Sequence, residues 1–152
     1  MISNIVVPID FSFESRSALK TATDIARIWN AKIHLIKVCE TTEILNYHHE
    51  IQRQLDADFV TTQQVYRTIK KVNSDKLEAM ASAYIHEEIE WESHVLTPDQ
   101  KNDIHSYMDG LDAQLIITGS DFQEEFRKNY LPGASNITVD DYDPNFQMEL
   151  TA

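Results

Sequence analysis

Apolar positions along the chain recur with two different periods, and the switches between them mark out the elements. Ile5-Val6-Val7-Pro8-Ile9 is a β-branched run closed by Asp10, the pattern of a short strand buried on both faces. Pro8 stands near its end, where a central strand can stop pairing. Asp10-Phe11-Ser12 then supplies side chains suited to a turn and a helix cap. From Glu14 to Trp29 the apolar residues Ala18, Leu19, Ala22, Ile25, Ala26 and Trp29 keep the spacing of one helical face. Asn30 is the expected stop, because Asn tolerates the left-handed conformation at a helix end. Lys32 to Val38 alternates and then turns apolar, giving a second strand. Strand, helix and strand in so short a span predict a right-handed βαβ unit with parallel strands.

The middle of the chain reads as helix from 50 to 86. Ile51, Leu55 and Phe59 keep one spacing; Val65, Ile69 and Val72, then Leu77, Met80, Ala81 and Tyr84 keep another. Asn73-Ser74-Asp75 is the expected break or kink. Ile89 to Leu96 alternates weakly, and its glutamates place this third strand near a sheet edge. Thr97 and Pro98 open a helix as cap and first residue, carrying Ile104, Tyr107, Met108 and Leu111, with Gly110 close to its end. Leu115-Ile116-Ile117-Thr118 is a fourth, buried strand running into Gly119-Ser120-Asp121. Beyond it, Phe122 to Tyr130 suggests a helical turn, Pro132-Gly133 a break, and Asn145 to Leu150 a short fifth strand. The alternating order predicts an open, doubly wound α/β sheet, parallel and of about five strands, in a single domain spanning 1–152.

Composition narrows the partners. With 25 acidic against 13 basic residues the formal net charge is −12, so nucleic acid and anionic membrane are both repelled. No apolar run is long enough to cross a bilayer, and the N-terminus lacks a basic leader. One cysteine, Cys39, allows no internal disulfide and suits a reducing, cytoplasmic setting.

Chemistry is sparse. Adjacent His48 and His49 point about 100° apart on a helix and do not readily share an ion; His86, His94 and His105 fall on separate elements. Asp141-Tyr142-Asp143-Pro144-Asn145 begins like a calcium loop, but Phe146 replaces the required Gly and Ala152 the closing Glu. Metal binding is therefore not expected. Ser12, Ser120 and Cys39 are candidate nucleophiles, yet Ser120 has no nucleophile elbow around it and no histidine placed to serve it, so an enzyme is not expected either.

Ile5 to Ser12, followed by Ser17-Ala18-Leu19 and Ala31 to Val38, resembles the opening of the universal stress protein family. Asp112-Ala113-Gln114-Leu115-Ile116-Ile117-Thr118-Gly119-Ser120 is similar to that family's fourth strand. The resemblance covers about a third of the chain and implies a Rossmann-like, adenine nucleotide alpha-hydrolase-like sheet of order 3-2-1-4-5. It also implies a pocket lined by Pro8, Ile9, Asp10 and Val38 on the base side, with Thr118, Gly119 and Ser120 opposite, wherever a nucleotide pocket is retained. Members that bind ATP hold its phosphates with G-x-x-G-(nine residues)-G-S/T after the fourth strand. Here Phe122 stands in the second Gly position, Gly133 comes one residue late, and Ala134 follows it. Residues 134–152 conform poorly to the family pattern. The resemblance thus implies a non-catalytic stress-response protein without a cofactor, acting as a homodimer or on a protein partner. The alternatives are an ATP- or AMP-binding sensor of the same fold and a small hydrolase of an adenylated or phosphorylated substrate.

Overall fold

The computed structural model describes residues 1–54, 61–98, 101–119, 126, 128–129, 133–139 and 149–151. Strand β1 (Asn4–Pro8) leads into helix α1 (Phe13–Trp29), and β2 (Lys32–Val38) follows. Ser12 caps α1 by accepting from the Ser15 N–H, and Asn30 ends it at φ 54° with its N–H on the Ala26 carbonyl. Both caps stand where the polar punctuation puts them. Helices α2 (Thr41–Gln54) and α3 (Thr62–Tyr84) precede β3 (Trp91–Leu96); α4 (Lys101–Gly110), β4 (Leu115–Thr118), β5 (Ser135–Thr138) and β6 (Glu149–Thr151) complete the chain.

The sheet order is β3-β2-β1-β4-β5-β6. Its first five strands are parallel and have the expected 3-2-1-4-5 order, with β3 at an edge. Alternate residues of the central strands feed two cores. Ile5, Val7, Ile9, Ile33, Leu35, Leu115 and Ile117 pack under α1 and α3, beside Leu19, Leu77 and Met80. Val6, Ile36 and Ile116 pack on the other face against Met108 of α4. A third cluster joins Cys39 to Ile44 and Ile51 of α2 and Val65 and Ile69 of α3.

Three expectations need correction. The helical region divides before Thr61, which forms a reciprocal capping box with Gln64, and not at Asn73. Asn73 is buried within an unbroken α3, where its amide donates to the Ile69 carbonyl at 2.9 Å and approaches Cys39 Sγ at 3.8 Å. Its tendency to break a helix is spent on those partners. Helix α2 begins at Thr41, earlier than its apolar stripe announces. The fifth parallel strand is Ser-Asn-Ile-Thr at 135–138, inconspicuous because buried Asn136 is polar; its amide meets Thr138 Oγ1 at 3.0 Å, and its Oδ1 accepts from Thr118 Oγ1 at 3.2 Å. The expected C-terminal strand overlaps β6 only at Glu149 and Leu150, and β6 runs antiparallel on the outer edge of β5.

Candidate functional site

In an open α/β sheet the crevice for a ligand lies at the carboxyl ends of the strands where the order reverses. Here that point falls between β1 and β4: β2 is reached through α1 on one face, β4 through α4 on the other. Pairing Pro8 with Ile36 brings Asp10 level with Val38. Pairing Val6 with Ile116 sends β1 and β4 to the same edge, where Thr118 ends β4. By the alternation of the strands, Pro8, Val38 and Thr118 belong to the α4 face with Val6, Ile36 and Ile116. Ile9 does not join them. Its side chain is buried under α1, and its N–H donates to the Ile36 carbonyl at 2.8 Å.

Asp10 is built into the start of α1. Its Oδ1 accepts from the Ser12 N–H at 3.0 Å, from the Ser12 hydroxyl at 2.5 Å and from the Ser15 hydroxyl, while Ser15 Oγ accepts the Asp10 N–H at 2.9 Å. Partial burial alone would raise its pKa. The hydrogen bonds from Ser12 and Ser15 outweigh that and hold the carboxyl below its ordinary 3.8. All three donors converge on Oδ1, leaving Oδ2 without a donor among the described residues. Ser15 was not singled out from the sequence; the Ser12-x-x-Ser15 spacing was the available signal.

Gly119 follows Thr118, and a Cβ added there would lie 2.3 Å from the Glu14 carbonyl oxygen and 2.8 Å from its carbon. No glycine described here has positive φ. Gly119 therefore serves by being small: β4 ends against the backbone of the first turn of α1. Phe11, by contrast, is a bulky residue held at φ 64°, a region that costs such side chains energy. Thr118 is fully buried, its hydroxyl turned to Asn136. Ser120, Phe122 and the acidic tail at 141–145 lie outside the described residues. Gly133 and Ala134 are described, the first exposed and the second buried.

The other candidates separate. Burial pushes the Cys39 thiol up to about 11, which makes it a poor nucleophile. Buried His34 shares a polar cluster with Asn4 Oδ1 (2.9 Å from Nε2) and Glu92 Oε1 (3.0 Å from Nδ1, with poor hydrogen-bond alignment). His94 Nε2 is 3.6 Å from the same carboxylate oxygen, and its ring packs 4.4 Å from Tyr107. Among the described residues no three His, Cys, Asp or Glu side chains come together as metal ligands, and no helix is long and apolar enough to cross a membrane.

Comparison with known proteins agrees with this fold. The model of the universal stress protein family matches residues 1–131. A hypothetical protein, MJ0577, superimposes with a TM-score of 0.63 at 16% identity, over 94% of this chain and 99% of its own. A universal stress family protein from Burkholderia pseudomallei gives 0.54 at 14% identity, over 91% and 96%. The universal stress protein from Archaeoglobus fulgidus in complex with dAMP gives 0.51 at 17%, over 91% and 95%. No curated protein sequence matches. At these identities the structural likeness carries the fold alone.

Proposed function

The chain belongs to the universal stress protein family, and we propose that it is a non-catalytic, cytoplasmic stress-response protein that acts through protein association, with ATP binding lost. The observation that carries this reading is what has become of the glycine motif. Gly119 is committed to the close approach of Glu14, the second Gly position holds Phe122, and Ala134 stands where a hydroxyl should close the loop. Backbone N–H groups converge on phosphate oxygens only where side chains leave room. Each hydrogen bond to a charged phosphate oxygen is worth roughly 1.5–3 kcal/mol, so losing two weakens binding by about two to four powers of ten. Asp121, Glu124 and Glu125 in the same stretch of sequence add unfavourable charge. Calorimetry with ATP and adenosine tests this: ATP is expected to bind no better than adenosine, and micromolar ATP affinity overturns the reading.

A nucleotide sensor is the second reading. It is favoured by the Asp10 Oδ2, which accepts from no described residue, by Pro8 and Val38 at the switch point, and by the dAMP held by the Archaeoglobus relative. Nucleotide co-purifying with gently isolated protein, seen by native mass spectrometry, would favour it. Homodimer formation belongs to the association reading. Because β6 already pairs with β5, a second copy would add to the outer edge of β6 or of β3. A clean monomer in sedimentation at concentrations of tens of micromolar would count against the dimer.

A further inference from the structure

We infer that the trough between α1 and α3 is a docking site for an acidic protein segment carrying an apolar anchor. The trough holds about 450 Å³ and is lined by Phe11, Arg16, Lys76, Ala79, Met80 and Tyr84. Met80 and the half-buried rings of Phe11 and Tyr84 give it an apolar floor, and methionine adapts readily to the shape laid on it. Its rim is basic. Lys76 lies 5.4 Å from the Phe11 ring, Lys20 lies 5.3 Å from Tyr84, and Arg16 lies 5.3 Å from Phe13.

What distinguishes these cations is the aromatic ring beneath each of them. Arg27, Lys32, Lys37 and Lys71 each meet a carboxylate. Arg16, Lys20 and Lys76 meet none among the described residues, as is also true of Arg53, Arg67, Lys70 and Lys128, but only the first three rest on aromatic rings there. Asp75, one residue from Lys76, is turned to Lys71 at 3.5 Å. Three exposed cations resting on aromatic faces beside an apolar floor can receive carboxylates without first breaking an ion pair. An acidic segment is repelled by the net charge of −12 over the surface as a whole, which favours a face where three cations stand beside an apolar floor.

The geometry favours a chain segment over a small anion. Arg16 and Lys20 are one helical turn apart along one wall, with Lys76 across from them, so the charges line the trough and do not converge on a point. Small-ligand pockets enclose most of their ligand, whereas this trough is open along its length and suits one or two large side chains from a passing segment. The inference rests on, and deepens, the association reading above.

Fluorescence anisotropy on the full chain tests it, with a fluorescein-labelled peptide Glu-Asp-Leu-Phe-Glu-Asp and its neutral counterpart Gln-Asn-Leu-Phe-Gln-Asn. The acidic peptide is expected to bind in the micromolar range and the neutral one at least tenfold more weakly. Lys20→Glu and Lys76→Glu, both at exposed positions, should each weaken the acidic peptide at least tenfold with unchanged circular dichroism. Lys71→Glu, outside the trough, should leave its affinity unchanged. Equal binding of both peptides, or full affinity in Lys76→Glu, overturns the inference. Displacement of the peptide by ATP overturns the assignment to a protein segment. If the acidic peptide fails to bind while ATP also fails in calorimetry, the trough is refuted and the association reading stands.

Discussion

Replacing Gly119 with alanine adds one methyl group at the end of β4, and the structure fixes what that methyl meets. It would stand 2.3 Å from the Glu14 carbonyl oxygen, 2.8 Å from the carbonyl carbon and 3.0 Å from the Glu14 Cβ, well inside the ~3.5 Å at which heavy atoms meet without repulsion. Two of these three atoms are backbone, in the first turn of α1, so no rotamer change relieves the contact. Overpacking in a tight site costs about 1–3 kcal/mol, and a backbone obstacle places Gly119→Ala at the upper end. Moving the first turn also strains the hydrogen bonds that join Asp10, Ser12 and Ser15. For a domain of this size each kcal/mol lowers Tm by roughly 2–4 °C, so a loss of about 3 kcal/mol appears as a fall of roughly 6–12 °C. Urea denaturation and thermal melting measure it. Gly110→Ala is the control: nothing lies within 4 Å of the added Cβ and the residue is the last of α4, so about 0.5–1 kcal/mol of stabilisation is expected. If Gly119→Ala is as stable as the parent, the close approach of β4 to α1 is wrong.

Two further expectations follow from buried titratable groups. Burial lowers the His34 pKa below its ordinary 6.5, against the pull of Glu92 in the other direction; the unfolded chain therefore binds the proton more readily, and the stability His34 contributes is complete above pH 6.5 and lost as the pH falls through the folded value. Denaturant stability should decline below pH 6.5, less steeply in His34→Gln; an unchanged slope would remove His34 as its source. For Cys39, a thiol raised to about 11 should alkylate roughly a hundredfold more slowly at pH 8 in the folded protein than in denaturant, and equal rates would contradict its burial.

Strands legible from the sequence were those with a largely apolar run or an alternation, including the weakly alternating edge strand β3. Ile5 to Pro8 and Leu115 to Thr118 are runs buried on both faces, Lys32 to Val38 interleaves buried Ile33, Leu35 and Ile36 with buried His34 and Lys37, and the structure places strands on each. Strand β5 escaped because Asn136 is satisfied by Thr118 and Thr138 on the sheet, a pairing between distant or alternate residues that no local pattern announces. Asn73 misled for the same physical reason: a polar residue inside a helix reads as a break until its buried partners are known. The resemblance of two sequence blocks to a family located the switch point, and the register brings Asp10, Val38 and Thr118 to it. Which way each side chain turns was not legible, because that depends on contacts across the fold, such as the burial of Ile9 beneath α1.

That dependence bears on how the site is interpreted. Asp10 and Gly119 are the two residues whose retention most suggests a nucleotide, yet each has a task in folding that needs none. Asp10 braces the Ser12 cap of α1, and Gly119 gives the same helical turn room to approach β4. Their presence would persist in a chain that never met ATP, so it is weak support for binding. The first turn of α1 also carries Arg16 toward the trough, with Phe11 just before it. A substitution at Asp10 or Gly119 thus disturbs the candidate pocket, the helix cap and the trough wall together. The two sites are separable only at positions away from that turn: Lys20 and Lys76 for the trough, Val38 for the proposed nucleotide pocket. Loss of peptide binding in the lysine variants, with nucleotide behaviour unchanged, would assign association to the α1–α3 face independently of whatever the switch point holds.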